Sequence, residues 1–297
     1  NQSQLSVPLD YIRQALNDRT PIPTHFDSRT KWPHCYTIHT IFDQGNCGVC
    51  WAVSSASVMS DRTCIKSNGT IQPQISTEDL YTCCYVCDEV GITDGCRGGT
   101  SMNAFLMWVK VGVVTGGDFG SAAGCMPFTI GADCGHPCPM PGYQHAPKCK
   151  PKCHPSYGKT YEQDKHFGSW FLFDRLPSES KGTRPELLQL YNSSHGEDTR
   201  NFFKREIMRN GPIVVGITYY EDQQHYASGV YKHLVGKSLA PHSIKLIGWG
   251  EENGQQYWLL ADSYGRFIGE NGFMRMSVNI PFEDFAFGMP DLERYNT

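Results

Sequence analysis

Cys50 lies directly before a run of small and apolar residues, a position that suits a reactive thiol. Residues 51–59 hold neither Gly nor Pro, so the run predicts a helix buried between two layers. A thiol in the first turn of that helix faces unpaired N–H groups and the positive end of the helix dipole, which favour the thiolate. Because the thiolate is the nucleophilic form, we predict that Cys50 attacks a carbonyl carbon.

A nucleophile of this kind needs a base for its proton, a group that orients the base, and donors for the developing oxyanion. His242 is the candidate base, and Asp262 is the candidate acceptor for its second ring nitrogen. The Gln44 side chain and the backbone N–H of Cys50 are the candidate oxyanion donors.

A hairpin is the element that must bring His242 and Asp262 together. Two runs typical of strands, 243–249 and 256–261, flank Asn253-Gly254, which favours a type I′ turn. Folding about this turn brings the base to the same end as its acceptor.

The cysteine content indicates an oxidising compartment, because 13 cysteines among 297 residues is a high number. The number is also odd, so saturated pairing leaves one free thiol, in agreement with a reactive Cys50. Three N-glycosylation sequons, at Asn1, Asn68 and Asn192, agree with a secretory route. We therefore expect a secreted or lysosomal/endosomal protein. The net charge of −4 gives no reason to expect nucleic acid as a partner, and no apolar run is long enough to cross a membrane.

The chain divides into segments of different character. Residues 1–21 are mostly polar without a strand pattern, which indicates an N-terminal extension. Helical patterns dominate the first half and strands the second, which predicts an α+β fold with two lobes. Residues 125–158 hold five cysteines and seven prolines with little periodicity, which predicts a stapled surface excursion that carries function.

Several motifs together resemble the papain-like cysteine peptidases. The shared motifs are Gln44-Gly45, Cys47-Gly48, Cys50-Trp51, His242 before Gly248-Trp249-Gly250, and Ser263 with Gly269–Phe273. Further motifs resemble the cathepsin B branch: Phe26–Arg29 with Trp32-Pro33, Ser60–Arg62 with Cys64-Ile65, Cys83-Cys84, Cys96 with Gly98-Gly99, and Tyr161–Gly168. The similarity runs from about residue 22 to residue 290.

The resemblance implies a helical left lobe, a β-barrel-like right lobe, and an active-site cleft between them. It makes residues 22–297 the peptidase domain and residues 1–21 a propeptide tail or N-terminal extension. It implies protein and peptide substrates, cystatin-like inhibitors and the chain's own propeptide as partners, a monomer, and neither a cofactor nor a metal.

The resemblance also implies a disulfide plan that leaves Cys50 free. Its six pairs are Cys35–Cys64, Cys47–Cys96, Cys83–Cys149, Cys84–Cys87, Cys125–Cys153 and Cys134–Cys138. By the same resemblance, Gly98 and Gly99 line the non-primed side of the cleft, where a substrate backbone comes close. Glu283 or Asp284 falls near the pocket for the second residue before the scissile bond, where a carboxylate accepts Arg as well as apolar side chains.

Four positions near the site depart from the family pattern. Asp262 replaces Asn, Tyr264 replaces Trp over the base, Pro241 replaces Gly, and Val49 replaces a small residue. The charge of Asp262 opposes the thiolate and favours the imidazolium, so we predict an active enzyme with a shifted pH profile. The alternative is a weakened or inactive homologue that acts as a binding protein.

The segment 125–153 resembles the occluding loop of cathepsin B, in which two adjacent histidines bind the carboxylate at the C-terminus of the substrate. Here only His136 remains, followed by Pro137, and the bracket from Cys134 to Cys138 is short. We therefore predict an endopeptidase with weak dipeptidyl carboxypeptidase activity, in which His145 is a candidate for the missing contact.

The spacing of the cysteines is also compatible with two other interpretations. Cys47 and Cys50 have the spacing of a thioredoxin-like redox motif, although no βαβ pattern surrounds them. Cys83, Cys84, Cys87 and Cys96 have a spacing compatible with zinc.

Overall fold

The computed structural model describes residues 7–88, 94–133, 142–176, 185–187 and 197–295. Seven α-helices lie in these ranges: α1 Leu9–Asn17, α2 Ser28–Lys31, α3 Cys50–Lys66, α4 Thr77–Thr82, α5 Tyr85–Asp88, α6 Ser101–Lys110 and α7 Glu197–Asn210. Short 3-10 helices occupy Tyr36–His39, Gly95–Arg97, Glu162–Asp164, Pro185–Leu187, Glu221–His225 and Leu292–Tyr295. None of the described helices combines the length and the apolar character that crossing a bilayer requires.

The described strands form one eight-stranded sheet. They are β1 Phe26–Asp27, β2 Gly168–Arg175, β3 Ile213–Tyr220, β4 Val230–Tyr231, β5 Ser238–Glu252, β6 Gln255–Ala261, β7 Phe273–Ser277 and β8 Asp284–Pro290. The order across the sheet is β2-β8-β3-β5-β6-β7-β4, and β1 pairs with β5. Neighbours are antiparallel except β4 and β7, which run parallel.

Helix α3 is the buried helix that the sequence predicts, and it begins at Cys50. Of its 17 residues, 13 are buried, including several polar ones. Its hydroxyl groups are satisfied because they donate to the carbonyl four residues earlier, as seen for Ser54, Ser55, Ser60 and Thr63. This internal pairing lets a helix rich in Ser and Thr lie between two layers.

The apolar interior forms two main clusters. One surrounds α3, α4 and α6, with Trp51, Phe105 and Trp108 among its fully buried members. The other lies on the sheet under α7 and includes Phe203 and Trp258. Helix α3 contacts both β5 and β8, so it joins the two parts.

The hairpin of β5 and β6 turns at Asn253 and Gly254, as predicted. Both residues have positive φ, 51° and 77°, the combination that a type I′ turn requires. The pairing continues to Lys245, which lies opposite Ala261. His242 and Asp262 therefore lie just beyond the last pair, at the same end of the hairpin.

The N-terminal segment contains a helix that the sequence analysis did not predict. Ile12 and Ala15 of α1 are buried in the sheet-side cluster, and the Tyr11 ring lies 4.5 Å from that of Trp170, centroid to centroid. The backbone N–H of Val7 donates to Phe171 O. The segment thus packs on the body, while the domain boundary at residue 21 stays a prediction.

Five disulfides are present in the described residues: Cys35–Cys64, Cys47–Cys96, Cys83–Cys149, Cys84–Cys87 and Cys125–Cys153. All five belong to the plan that the resemblance implies. The sixth pair, Cys134–Cys138, lies outside the described residues. Both alternative interpretations of the cysteines are wrong, since Cys47 and the four cysteines of the zinc interpretation are all bridged.

A buried ion pair joins α3 to α7. Arg62 Nη1 lies 2.8 Å from Glu206 Oε1, and their side chains are 0% and 1% exposed. The same guanidinium donates to the carbonyls of Gly211 and Pro212, which lead into β3. Tyr11 of α1 donates its hydroxyl to Glu206, so α1 joins the same network.

Replacing Arg62 with Met should destabilise the fold strongly, because it leaves the Glu206 carboxylate buried without its cation. We expect a loss of about 3–5 kcal/mol in the free energy of unfolding, measured by urea denaturation. Arg13→Met is the matched control, since Arg13 and Asp10 form a pair whose side chains are 72% and 83% exposed. Equal small effects of the two substitutions would contradict this prediction.

Candidate active site

Cys50 is the one free cysteine of the described residues, and it is partly exposed. It occupies the first position of α3, where the sequence places it. Its Sγ accepts a hydrogen bond from the backbone N–H of Ser243, at 3.5 Å, and interacts with the His242 side chain, which lowers the pKa of the thiol. An unbridged sulfur thus meets an imidazole that comes from the sheet.

His242 is held from both sides. Its Nε2 lies 2.9 Å from Asp262 Oδ1, so Nδ1 is the nitrogen left for Cys50. The Tyr264 ring stacks on the imidazole with centroids 5.0 Å apart and planes 9° apart, and Tyr219 contacts it edge-on at 5.5 Å. The ring can therefore share protons with Cys50 on one side and Asp262 on the other.

The charges of this group favour a thiolate beside an imidazolium. Burial raises the pKa of the Cys50 thiol, but the charge and hydrogen bond of His242 outweigh it and bring that pKa below its ordinary value. Burial lowers the pKa of His242, but the charges of Asp262 and Cys50 raise it to about 10. Each charge stabilises its opposite neighbour.

Gln44 lies beside Cys50 with its amide group fixed. Ser263 Oγ donates to Gln44 Oε1 at 2.6 Å, and Gln44 Nε2 donates to Cys47 O at 2.9 Å. The Gln44 amide has a second N–H, and the residue lines the same cleft as Cys50. It is therefore available as an oxyanion donor.

A cleft of about 570 Å³ runs past Cys50 and His242. Its walls include Gly98, Gly99, Tyr264, Glu283 and Asp284, which are the predicted substrate-binding residues within the described ranges.

Two predicted positions, His136 and Asn192, lie outside the described residues. Asn68 is exposed in the turn after α3.

The two glycines of the cleft have different reasons to be glycine. Gly98 has φ 118°, a conformation that side chains disfavour, although a Cβ there would meet nothing within 4 Å. A Cβ on Gly99 would lie 2.2 Å from the Trp51 ring, so only glycine fits. Together they keep a stretch of backbone exposed along the cleft.

Glu283 and Asp284, the two acidic residues of the cleft wall, differ in exposure and in pKa. Thr218 Oγ1 donates to the Glu283 carboxylate, and Glu283 is exposed. Asp284 is largely buried, and this burial together with the charge of Glu283 raises its pKa to about 6. Asp284 thus titrates near pH 6.

Several residues of the site carry no signal in the sequence. Tyr143 lines the cleft, and a Cβ added to Gly48 would lie 2.9 Å from its ring. Tyr219 reaches His242 from β3. His145 is not among the residues that line the cleft, and its Nδ1 lies 2.6 Å from Asp94 Oδ2.

The model of the papain family cysteine proteases matches residues 22–283 of the chain. The chain belongs to this family. It is 40% identical to cathepsin B-like cysteine proteinase 5 of Caenorhabditis elegans, over 97% of this chain and 79% of that protein. It is 42% identical to cathepsin B-like cysteine proteinase 3 of the same organism, over 86% and 62% of the two lengths.

The solved structures agree with this assignment. The chain matches procathepsin B S9 from Trypanosoma congolense with a TM-score of 0.73 and 29% identity, over 98% of this chain and 85% of that one. These matches confirm the papain-like α+β fold with two lobes and the cathepsin B-like branch of the papain family.

Against the papain-family pattern, Asp262 is the departure with the clearest electrostatic effect. It adds a negative charge next to the His242 imidazolium, where the family pattern has an uncharged amide. That charge stabilises the protonated ring and opposes loss of a proton from Cys50. We therefore expect the acidic and alkaline limbs of the pH profile to lie at higher pH than they would with Asn.

Replacing Asp262 with Asn should move the pH profile of the papain-type pair toward lower pH. Removing the carboxylate lowers the pKa of His242 from about 10, so the imidazolium is lost at lower pH and the alkaline limb shifts down. We expect a shift of about 1–3 pH units in the alkaline limb, measured as the rate of Cys50 alkylation by iodoacetate against pH, because the negative charge of this reagent makes its attack depend on the imidazolium. Superimposable profiles of the two proteins would refute this prediction.

Proposed function

We propose that this chain is a cysteine peptidase that cleaves peptide bonds through a Cys50 thiolate and a covalent acyl-enzyme, mainly as an endopeptidase. The observation that carries the proposal is the unbridged Cys50 beside His242, which lowers the pKa of the thiol and is held by Asp262 at 2.9 Å from its other ring nitrogen. Membership of the papain family supports the reaction class.

The first half of the proposed mechanism forms the acyl-enzyme. The Cys50 thiolate attacks the carbonyl carbon, and the electron pair of the C=O bond moves onto oxygen. The Cys50 backbone N–H and the Gln44 amide donate to this oxyanion. When the C–N bond breaks, His242 gives its Nδ1 proton to the leaving amine, and a thioester remains on Cys50.

The second half restores the thiolate. Neutral His242 takes a proton from a water molecule, and the water oxygen attacks the thioester carbonyl. The C–S bond breaks, the carboxylic acid leaves, and the thiolate–imidazolium pair forms again. Asp262 keeps the ring aligned through both halves because its Oδ1 accepts from Nε2.

The described walls of the cleft support endopeptidase over exopeptidase action. Among the described residues that line it, His242 is the only histidine. His145, the candidate for a second carboxylate contact, is paired with Asp94 instead. Arg97 is a further cation that lines the cleft, and its Nε lies 3.9 Å from Asp94 Oδ2. A substrate carboxylate would therefore find few cationic partners, and a chain that continues past the site is better accommodated.

A second candidate function is a binding protein on the same fold. The departures at Asp262 and Tyr264 favour it, because the Tyr264 hydroxyl lies 3.4 Å from His242 Nδ1 and competes with Cys50 for that nitrogen. Such a protein would keep the peptide cleft but hydrolyse slowly or not at all.

The disulfides and the family support a secretory setting. Five bridges in the described residues favour an oxidising compartment, so we expect a secreted or lysosomal/endosomal protein. Protein and peptide substrates, cystatin-like inhibitors and its own propeptide are the expected partners of a monomer. The proform among the similar structures supports the propeptide.

Labelling and cleavage test the proposal together. The full chain should gain one adduct at Cys50 from a peptidyl epoxide, detected by mass spectrometry, and Cys50→Ala should gain none. The same protein should cut an amidated peptide internally and release little dipeptide from the matched peptide with a free carboxylate. Peptide binding without label or cleavage would favour the binding protein, and dominant dipeptide release would overturn the endopeptidase assignment.

Selectivity at the acidic pair gives a second prediction. Above about pH 6 the Asp284 carboxylate is ionised, so the preference for Arg over Leu at the second residue before the cut should rise from pH 5 to pH 7. We expect a rise of about tenfold in the ratio of kcat/KM values for two peptide amides, and its loss in Asp284→Asn. Glu283→Gln is the control, because it removes the charge that raises this pKa and moves the rise to lower pH.

A further inference from the structure

Gln223 is a buried side chain whose amide oxygen meets no hydrogen-bond donor in the described part of the chain. It lies in the 3-10 helix Glu221–His225 and is 2% exposed. Its Nε2 donates to the Met274 sulfur at 3.6 Å, while Oε1 has no partner. A buried amide oxygen is costly to leave unpaired, so this atom needs an explanation.

Gln223 and Asp262 line the same small cavity. Its volume is about 10 Å³, close to the space that one water molecule needs. Tyr219 and Met274 also line it, and the backbone N–H of Asp262 donates to Gly272 O in the cavity wall at 2.9 Å. The cavity therefore joins the Gln223 side chain, whose amide oxygen is unpaired, to the residue that orients the base.

One oxygen of the Asp262 carboxylate is still able to accept hydrogen bonds. Its Oδ1 accepts from His242 Nε2 and from the Ser263 backbone N–H at 2.8 Å, and Oδ2 accepts from no described residue. An amide oxygen and a carboxylate cannot bond to each other, because both are acceptors. A water molecule carries two donors and satisfies one acceptor on each side.

We propose that Gln223 is a positioning residue for the reaction, which holds one buried water against the Asp262 carboxylate and so fixes the bond from Asp262 to His242. This inference rests on the proposed peptidase function. It explains how the chain carries an aspartate at this position, because a buried carboxylate needs donors from its surroundings and the water supplies one.

Other titratable groups also face Asp262. His242 bonds to it from β5, and the phenols of Tyr219 and Tyr264 lie nearby with pKa values that burial raises well above the ordinary value. Lys245 lines a second cavity with Asp262, of about 40 Å³, and its ammonium is 2.9 Å from Asp61 Oδ2. Gln223 is uncharged, so replacing it alters none of these charges.

Gln223→Met tests the role of the amide, because Met fills similar volume without the acceptor. We expect kcat to fall about tenfold while KM stays within about twofold, since Gln223 is not among the described residues that line the substrate cleft. The effect should shrink to less than about twofold in the Asp262→Asn background, where the carboxylate that needs the water is gone. Gln255→Met is the matched control, because the Gln255 amide nitrogen is also buried and unpaired, but the residue begins β6 next to the hairpin turn, at the end of the strand away from Asp262.

Proton NMR gives a readout that does not depend on turnover. The Nε2 proton of His242, shared with Asp262, should give a low-field signal that exchanges with water about tenfold faster in Gln223→Met than in the unmodified chain. If the unmodified chain cleaves no peptide, the function proposal fails while this measurement still decides the role of Gln223. Unchanged kcat and exchange, or an equal loss of kcat in both backgrounds, would overturn the inference.

Discussion

The hydrogen bonds of one imidazole ring connect the two halves of this molecule. His242 comes from the sheet and Cys50 from the first turn of α3, so their contact exists only while α3 is held on the sheet. Two buried cations, Arg62 and Lys245, fix α3 in this position through ion pairs. Arg62 joins α3 to α7 through Glu206, and Lys245 of β5 bonds to Asp61 of α3. Breaking either pair leaves a buried carboxylate unpaired, which makes the lobe arrangement costly to disturb.

Charges alternate from the cleft into the interior. Cys50, whose pKa His242 lowers, lies next to His242; the His242 ring bonds to Asp262, and Lys245 lines a small cavity together with that carboxylate. Asp61 closes the series at 2.9 Å from Lys245. In a low-dielectric interior each charge is tolerable mainly because its neighbours have the opposite sign. Asp262 is therefore one member of a series of alternating charges, and its effect on the site is not limited to its bond with His242.

The parts of the site that follow local rules could be predicted from the sequence. A helix start predicts Cys50 at an N-terminus, and an Asn-Gly turn predicts that His242 meets Asp262; both come from short-range patterns. Tyr143, Tyr219 and the Lys245–Asp61 pair could not be predicted in this way. Their contacts join residues far apart in the chain, and no periodicity encodes such pairs. Helix α1 differs from these cases, because Leu9, Ile12 and Leu16 stand at helical spacing in the sequence and this short period was overlooked among the polar residues.

The docked position of α1 bears on how the chain can be shortened. Tyr11 donates to the same Glu206 carboxylate that Arg62 neutralises, and Arg209 of α7 pairs with Asp18 just after α1. Cutting the chain after residue 21 would uncover the apolar surface beneath Ile12 and take a hydrogen-bond donor from a buried anion. Removing this segment would therefore disturb the packing of α3, which begins at Cys50.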